Sequence, residues 1–151
     1  LDEVLDSIIE DDLIIFSMGS LYTSILPNII CSEVKEALNK TKAPIMYLCN
    51  AVTQPGETDN YTVGDHIELL NKYLDFKKID VVIASNTKID RKIAKKYETE
   101  EQKDPVKIDY GKLNKIGVEL IEDDLITIED NMLRHNSMKL SSLIFSYLMR
   151  N

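Results

Sequence analysis

The residues best suited to chemistry lie in three polar segments, each following a short apolar run. The first is Ser17-Met18-Gly19-Ser20-Leu21-Tyr22-Thr23-Ser24, in which five of eight residues carry a hydroxyl. Gly19 lets the backbone approach a ligand. Backbone N–H groups at a helix start near Tyr22, together with the hydroxyls of Ser20, Thr23 and Ser24, suit a phosphate or a sugar. The same residues also make an ordinary capped turn. The second segment runs from Asn50 to Asn60 and holds Thr53, Gln54, Pro55, Gly56, Glu57, Thr58 and Asp59. Its amides, hydroxyls and carboxylates suit a hydroxylated ligand, and long loops in compact domains are often functional. Pro55-Gly56 alone also accounts for a plain polar turn. The third segment, Ser85-Asn86-Thr87, carries a helix-capping signal and little more.

Arg134 and His135 stand just before the last helical pattern. Arginine is the residue of choice for phosphate and histidine can move a proton. His66 sits one position before the apolar Ile67 and reads as a structural helix residue. With two histidines in the chain no histidine-based metal site is expected. HExxH, GxSxG, GxGxxG and GxxxxGK[ST] are all absent, which removes metalloprotease, α/β-hydrolase, dinucleotide-fingerprint and P-loop readings.

The elements that must position these segments follow from the apolar pattern. Leu13-Ile14-Ile15-Phe16, Ile45-Met46-Tyr47-Leu48-Cys49 and Val81-Val82-Ile83-Ala84 are apolar without alternation, as expected of strands covered on both faces. Helical patterns lie between them. An opening helix spans Val4 to Ile9, and Ser32 is expected to cap a helix carrying Val34, Ala37 and Leu38. Thr62-Val63-Gly64-Asp65 fits a capping box before the stripe Val63, Ile67, Leu70 and Leu74. Ile89, Ile93 and Tyr97 mark a shorter helix, and Glu98 to Asp104 reads as a surface loop. Val118–Ile121 and Leu125–Ile128 read as strands around an Asp123-Asp124 turn. A last helix starts at about Ser137 with Asn136 as its cap and the stripe Leu140, Leu143, Ile144, Tyr147 and Leu148. Strand and helix alternate, so the expected fold is α/β with a mainly parallel sheet, one domain over residues 1–151. In such sheets ligands bind outside the carboxyl ends of the strands, which selects the three polar segments.

The chain has 151 residues, with 44% hydrophobic and 29% charged, close to the globular average and inconsistent with wholesale disorder. It carries 18 basic and 26 acidic residues, a formal charge of −8. The Arg91, Lys92, Lys95 and Lys96 run lies on what reads as a solvated helix face, so nucleic acid is not an expected partner. No apolar run approaches the roughly 20 residues of a membrane span. Cys31 and Cys49 form no CxxC or Cys/His pattern, and Leu1-Asp2-Glu3 has no signal-peptide shape, so a reduced, cytoplasmic setting is expected.

Four motifs resemble one family. Asp12 through Asn28, which contains Ser20-Leu21-Tyr22-Thr23-Ser24-Ile25-Leu26-Pro27-Asn28, is similar to the GPGSLYTSILPN signature of the YvcK/CofD-like proteins. These are the gluconeogenesis factors and the 2-phospho-L-lactate transferases. Cys49-Asn50 with Thr53-Gln54-Pro55-Gly56-Glu57-Thr58-Asp59 resembles the family's CN…TQPGETD loop. Asp65-His66-Ile67 matches its SDHI helix start, and Arg134-His135-Asn136 resembles its RHD. The TQPGETD match favours the gluconeogenesis-factor branch. Ser17-Met18 stand where the family has Gly-Pro, and the family's glycine-rich GGGTG loop has no counterpart. With no initiator Met at the first position, the chain is expected to be the C-terminal half of a protein about twice as long.

The resemblance implies a Rossmann-like three-layer αβα fold, a homodimer, and a nucleotide-containing ligand at the carboxyl end of the sheet. Gly19, Ser20, Tyr22, Thr23 and Ser24 would cradle it. Asn50, Thr53, Gln54, Gly56, Glu57 and Thr58 would face them, with Arg134 as a phosphate partner and His135 beside it. For the gluconeogenesis factors the implied ligand is a UDP-sugar, with a role in cell shape and cell-wall synthesis proteins as partners. For the transferases it is a phospholactyl donor and a deazaflavin acceptor with Mg2+, where Glu57 or Asp59 would hold the metal or take a proton.

Overall fold

The computed structural model describes residues 1–150. Helix α1 (Asp2–Glu10) precedes strand β1 (Ile14–Phe16). A wide helical turn, Leu21–Ile25, runs into α2 (Leu26–Ile29), and α3 (Ser32–Lys40) leads to β2 (Ile45–Leu48). Helix α4 (Val63–Tyr73) connects to β3 (Val81–Ser85). Helix α5 (Arg91–Lys96) continues as a second wide turn, Tyr97–Glu101, and α6 (Tyr110–Ile116) leads to β4 (Glu119–Asp123). The chain closes with β5 (Ile126–Glu129), β6 (Met132–His135) and α7 (Ser137–Leu148).

Strands β1 to β4 form one parallel sheet in the order β1-β2-β3-β4. Its register places Ile15 beside Met46, Met46 beside Val81, and Val82 beside Leu120. When strand order runs one way, crossovers of one hand place every connecting helix on the same face. The core follows that rule. Ile45, Tyr47, Val82 and Ala84 pack with Leu26, Leu38, Ile67, Leu70 and Leu113 from α2, α3, α4 and α6. The opposite residues, Met46, Leu48, Val81 and Ile83, meet Leu140, Leu143, Ile144 and Tyr147 of α7. Ile8 of α1 joins the first of these faces, so the three layers are a helical layer that includes α1, α2, α3, α4 and α6, then the sheet, then α7. β1 is an edge strand, and Ile15 on its thinly covered face stays exposed.

Two of the anticipated caps form. Thr62 Oγ1 accepts from the Asp65 N–H while Asp65 accepts from the Thr62 N–H at 2.9 Å, and the stripe Val63, Ile67, Leu70 and Leu74 is buried. Asn136 accepts from the Lys139 N–H and opens α7.

Four local expectations are corrected. Cys31, not Ser32, precedes the first turn of α3, and the Ser32 hydroxyl donates to Glu33 instead. Residues 98–101 are helical, because the turn begun at Tyr97 buries that ring and carries the winding onward. Asp90, not Ser85 or Thr87, caps α5. Strand β5 does not join the sheet but pairs antiparallel with β6 across Asp130-Asn131, both at positive φ. Helix α6 and strand β6 were not anticipated.

Candidate functional site

Two polar segments meet at the carboxyl end of the sheet. After β1 the chain turns through Gly19, and Ser20 caps the helical turn by accepting from the Thr23 N–H at 3.1 Å. The N–H groups of Ser24 and Ile25 both reach back to the Ser20 carbonyl, which gives that turn its width. After β2, the Asn50 amide donates to the Gly19 carbonyl at 2.9 Å. The Ser20 hydroxyl donates to Glu57 at 2.6 Å, and the Tyr22 and Tyr61 hydroxyls lie 3.2 Å apart. Contacts spanning 31 to 39 residues of sequence thus join the Gly19–Ser24 turn to the 50–61 loop.

The loop is itself tightly held. The Gln54 N–H donates to Thr58 Oγ1 at 2.8 Å, and the Glu57 and Thr58 N–H groups return to the Gln54 carbonyl. Gly56 sits at φ +77°, a conformation that disfavours side chains, and its N–H donates to Asp59. Buried Thr53 fixes the far side: its N–H donates to the Asp104 carbonyl and its hydroxyl accepts from the Asp104 N–H. The Gln54 side-chain oxygen is buried without a donor.

A cavity of about 340 Å³ opens beside this turn at the end of β1, lined by Phe16, Ser17, Gly19, Ser24, Ile25 and Asn28 among others. A second of about 570 Å³ lies beyond the loop, between Asp59, Tyr61, Asp65, Glu68 and Lys72. Tyr22, Thr23 and Ser24 are exposed, whereas Thr53 and Thr58 are buried and serve the loop's own folding.

Arg134 and His135 are carried by a different element. Both lie on β6, where exposed Arg134 approaches Glu129 at 3.8 Å and His135 is half-buried. Burial lowers the His135 pKa. Among the described residues no hydrogen bond or ion pair joins either side chain to the turn or the loop. The hairpin is anchored by Thr87, whose hydroxyl donates to Asp124 and accepts from the Ile126 N–H, and by Ser85, which accepts from the Leu125 N–H. Ser85 and Thr87 are therefore tethers for the hairpin.

Beneath the loop, His66 is buried against Tyr47 and Tyr61, and its Nδ1 lies 2.7 Å from the Thr62 carbonyl. Burial lowers its pKa against the pull of that carbonyl and of Asp65 and Asp109. The Cys49 thiol is pushed up to about 12 by burial, so it is no nucleophile in this state. Among the described residues no group of three His, Cys, Asp or Glu side chains converges as a metal site, and no helix is long and apolar enough to cross a membrane.

Tyr61 was not singled out from the sequence. Its role comes from contacts with Tyr22 and His66, which no local pattern announces.

A parallel, Rossmann-like α/β sheet with a hydroxyl-rich turn facing a TQPGETD loop defines the class. The chain belongs to the CofD family: the profile described as 2-phospho-L-lactate transferase CofD matches residues 1–126. It is 40% identical over 148 residues to the gluconeogenesis factor of Bacillus subtilis, covering 98% of this chain and 46% of that protein. It is 37% identical over 144 residues to the gluconeogenesis factor of Halalkalibacterium halodurans, covering 95% and 44%. A crystal structure of a Bacillus halodurans protein superposes with a TM-score of 0.89 at 36% identity, covering 96% of this chain and 46% of that one. The chain thus spans somewhat under half the length of these relatives.

Proposed function

We propose that this chain supplies part of a nucleotide-sugar site in a regulatory protein of the gluconeogenesis-factor type, linked to cell shape and wall synthesis. The observation that carries the reading is the joined rim: Asn50 on Gly19, Ser20 on Glu57 and Tyr22 on Tyr61, at the carboxyl end of a parallel sheet. Hydroxyls, amides and a carboxylate gathered on one rim suit a ligand that carries both hydroxyls and phosphate. The gluconeogenesis-factor relatives support the branch. Arg134 would approach the phosphates, a UDP-sugar would be the ligand, and a homodimer in the cytoplasm would be the working form.

The family description favours a second reading, a transferase that moves a phospholactyl group to a deazaflavin. In that reading Glu57 or Asp59 holds Mg2+ against the donor phosphate. A thermal-shift series separates the two, with UDP-N-acetylglucosamine, GDP and a deazaflavin added to the full gene product that carries this chain. A ligand at one hundred times its Kd adds about 2.7 kcal/mol. A shift with the UDP-sugar supports the regulator. A shift confined to GDP and the deazaflavin replaces it with the transferase.

A further inference from the structure

Glu57 is an odd neighbour for a phosphate cradle. One of its oxygens takes the Ser20 hydroxyl at 2.6 Å, so a carboxylate stands at the cap of the turn whose exposed Tyr22, Thr23 and Ser24 hydroxyls would meet a phosphate. Among the described residues no lysine or arginine pairs with Glu57, so its charge stands without a counter-ion. A phosphate seated here would meet like charge at short range.

The carboxylate is nonetheless firmly presented. The 54–58 turn closes on itself through Thr58 and Gln54, and Gly56 at positive φ aims the chain so that Glu57 faces Ser20. Ser20 is already used as a cap, accepting from the Thr23 N–H, so its proton is free to point at Glu57. An aromatic pair, Tyr22 and Tyr61, lies on the same rim. A half-buried carboxylate beside tyrosine rings and an amide is the chemistry that reads sugar hydroxyls, as acidic residues read ribose hydroxyls in dinucleotide sites.

We infer that Glu57 recognises a vicinal diol of the nucleotide sugar, and that the Ser20 hydroxyl occupies its hydroxyl-binding position when no ligand is bound. The diphosphate then lies away from Glu57, toward the exposed Thr23 and Ser24. This rests on the nucleotide-sugar reading and adds the part of the ligand that the 50–61 loop contacts. A vicinal diol occurs both on the ribose and on the hexose, and the test distinguishes them.

The experiment is calorimetric titration of the full gene product with UDP, 2′-deoxy-UDP and UDP-glucose, repeated for Glu57→Gln and Ser20→Ala. If Glu57 reads the ribose, the wild type prefers UDP to 2′-deoxy-UDP by about tenfold or more, the loss expected for a hydrogen bond to a charged group. Glu57→Gln erases that preference by weakening UDP alone. If it reads the hexose, Glu57→Gln instead erases a preference for UDP-glucose over UDP. Ser20→Ala removes the hydroxyl that competes for Glu57, so it widens the preference in either case, and a narrowed preference overturns the inference. The inference is overturned if Glu57→Gln tightens every ligand, which makes the carboxylate a phosphate repeller. It is equally overturned if all three weaken in the same proportion, which makes Glu57 a tie between loops, or if nothing changes. Failure of the wild type to bind any uridine nucleotide removes the parent reading and this one with it.

Discussion

The carboxylate of Asp109 occupies the space that a side chain on Gly64 would need: a Cβ built there would lie 2.5 Å from Asp109 Oδ2. Asp109 is held in place by the Gly64 N–H at 2.7 Å and the Thr62 hydroxyl at 2.6 Å. The positive end of α4 is therefore satisfied from within the chain by a residue just before α6. The Gly19–Ser24 turn, by contrast, keeps the exposed hydroxyls of Tyr22, Thr23 and Ser24 at its start.

Gly64→Ala should destabilise the fold although alanine is the better helix former. The gain in propensity is about 1 kcal/mol, against about 1–3 kcal/mol for forcing apart a packed contact. Displacing Asp109 also strips two donors of their acceptor. Urea denaturation should show a net loss of about 1–2 kcal/mol. The double variant with Asp109→Ala should lose less than the sum of the two single losses, because both remove the same contact. Strict additivity would separate the two residues.

His66 makes stability depend on pH. Its folded pKa lies below the ordinary value because burial beside Tyr47 and Tyr61 outweighs the pull of the Thr62 carbonyl and the charges of Asp65 and Asp109. The unfolded chain then takes up a proton at about pH 6.5 while the folded one does not. The contribution of neutral His66 is complete above that pH and is lost as pH falls below it, by at most about 1.4 kcal/mol per pH unit. His66→Gln should flatten the fall in urea midpoint between pH 7.5 and 5.5. Half-buried His135, shifted the same way, keeps a remnant of the slope. A slope unchanged by His66→Gln would show that His66 does not titrate this way.

The parallel sheet was legible because Ile45–Leu48 and Val81–Ala84 are buried on both faces, leaving unbroken apolar runs. The α4 start was legible because a capping box is local. Strand β6 escaped because Met132 and Arg134 alternate with only Leu133 and His135, too weak a pattern beside an exposed hairpin. Its one usable signal was Asp130-Asn131, a pair that tolerates positive φ at a tight turn. The site was legible as separate segments but not as a rim. Ser20 and Glu57 are 37 residues apart, and nothing local in either says that one donates to the other.

Arg134 is a sequence-expected phosphate partner that the fold leaves open to solvent. Its pairing with Glu129 is long and both side chains are more than half exposed, so it contributes little to stability. Arg134→Ala should change the unfolding free energy by less than about 0.5 kcal/mol. In the full gene product it should weaken UDP-sugar binding by about tenfold if it meets the phosphates. Unchanged affinity by calorimetry removes Arg134 from the site and leaves the turn and the loop as the binding elements.

The hairpin that presents Arg134 is itself held from below. Buried Tyr97 accepts the Leu133 N–H on its hydroxyl at 2.7 Å, linking the wide turn after α5 to β6. Tyr97→Phe keeps the ring and its packing but leaves that N–H without an acceptor, a loss of about 1 kcal/mol. The change is local, because the parallel sheet and its two apolar faces do not depend on this bond. Hydrogen exchange should therefore speed up for residues 126–135 and stay as in the wild type for the four sheet strands. If the sheet strands lose protection to the same extent, the hairpin folds as one unit with the sheet. Tyr97 would then be holding the whole core together and not just the platform on which Arg134 stands.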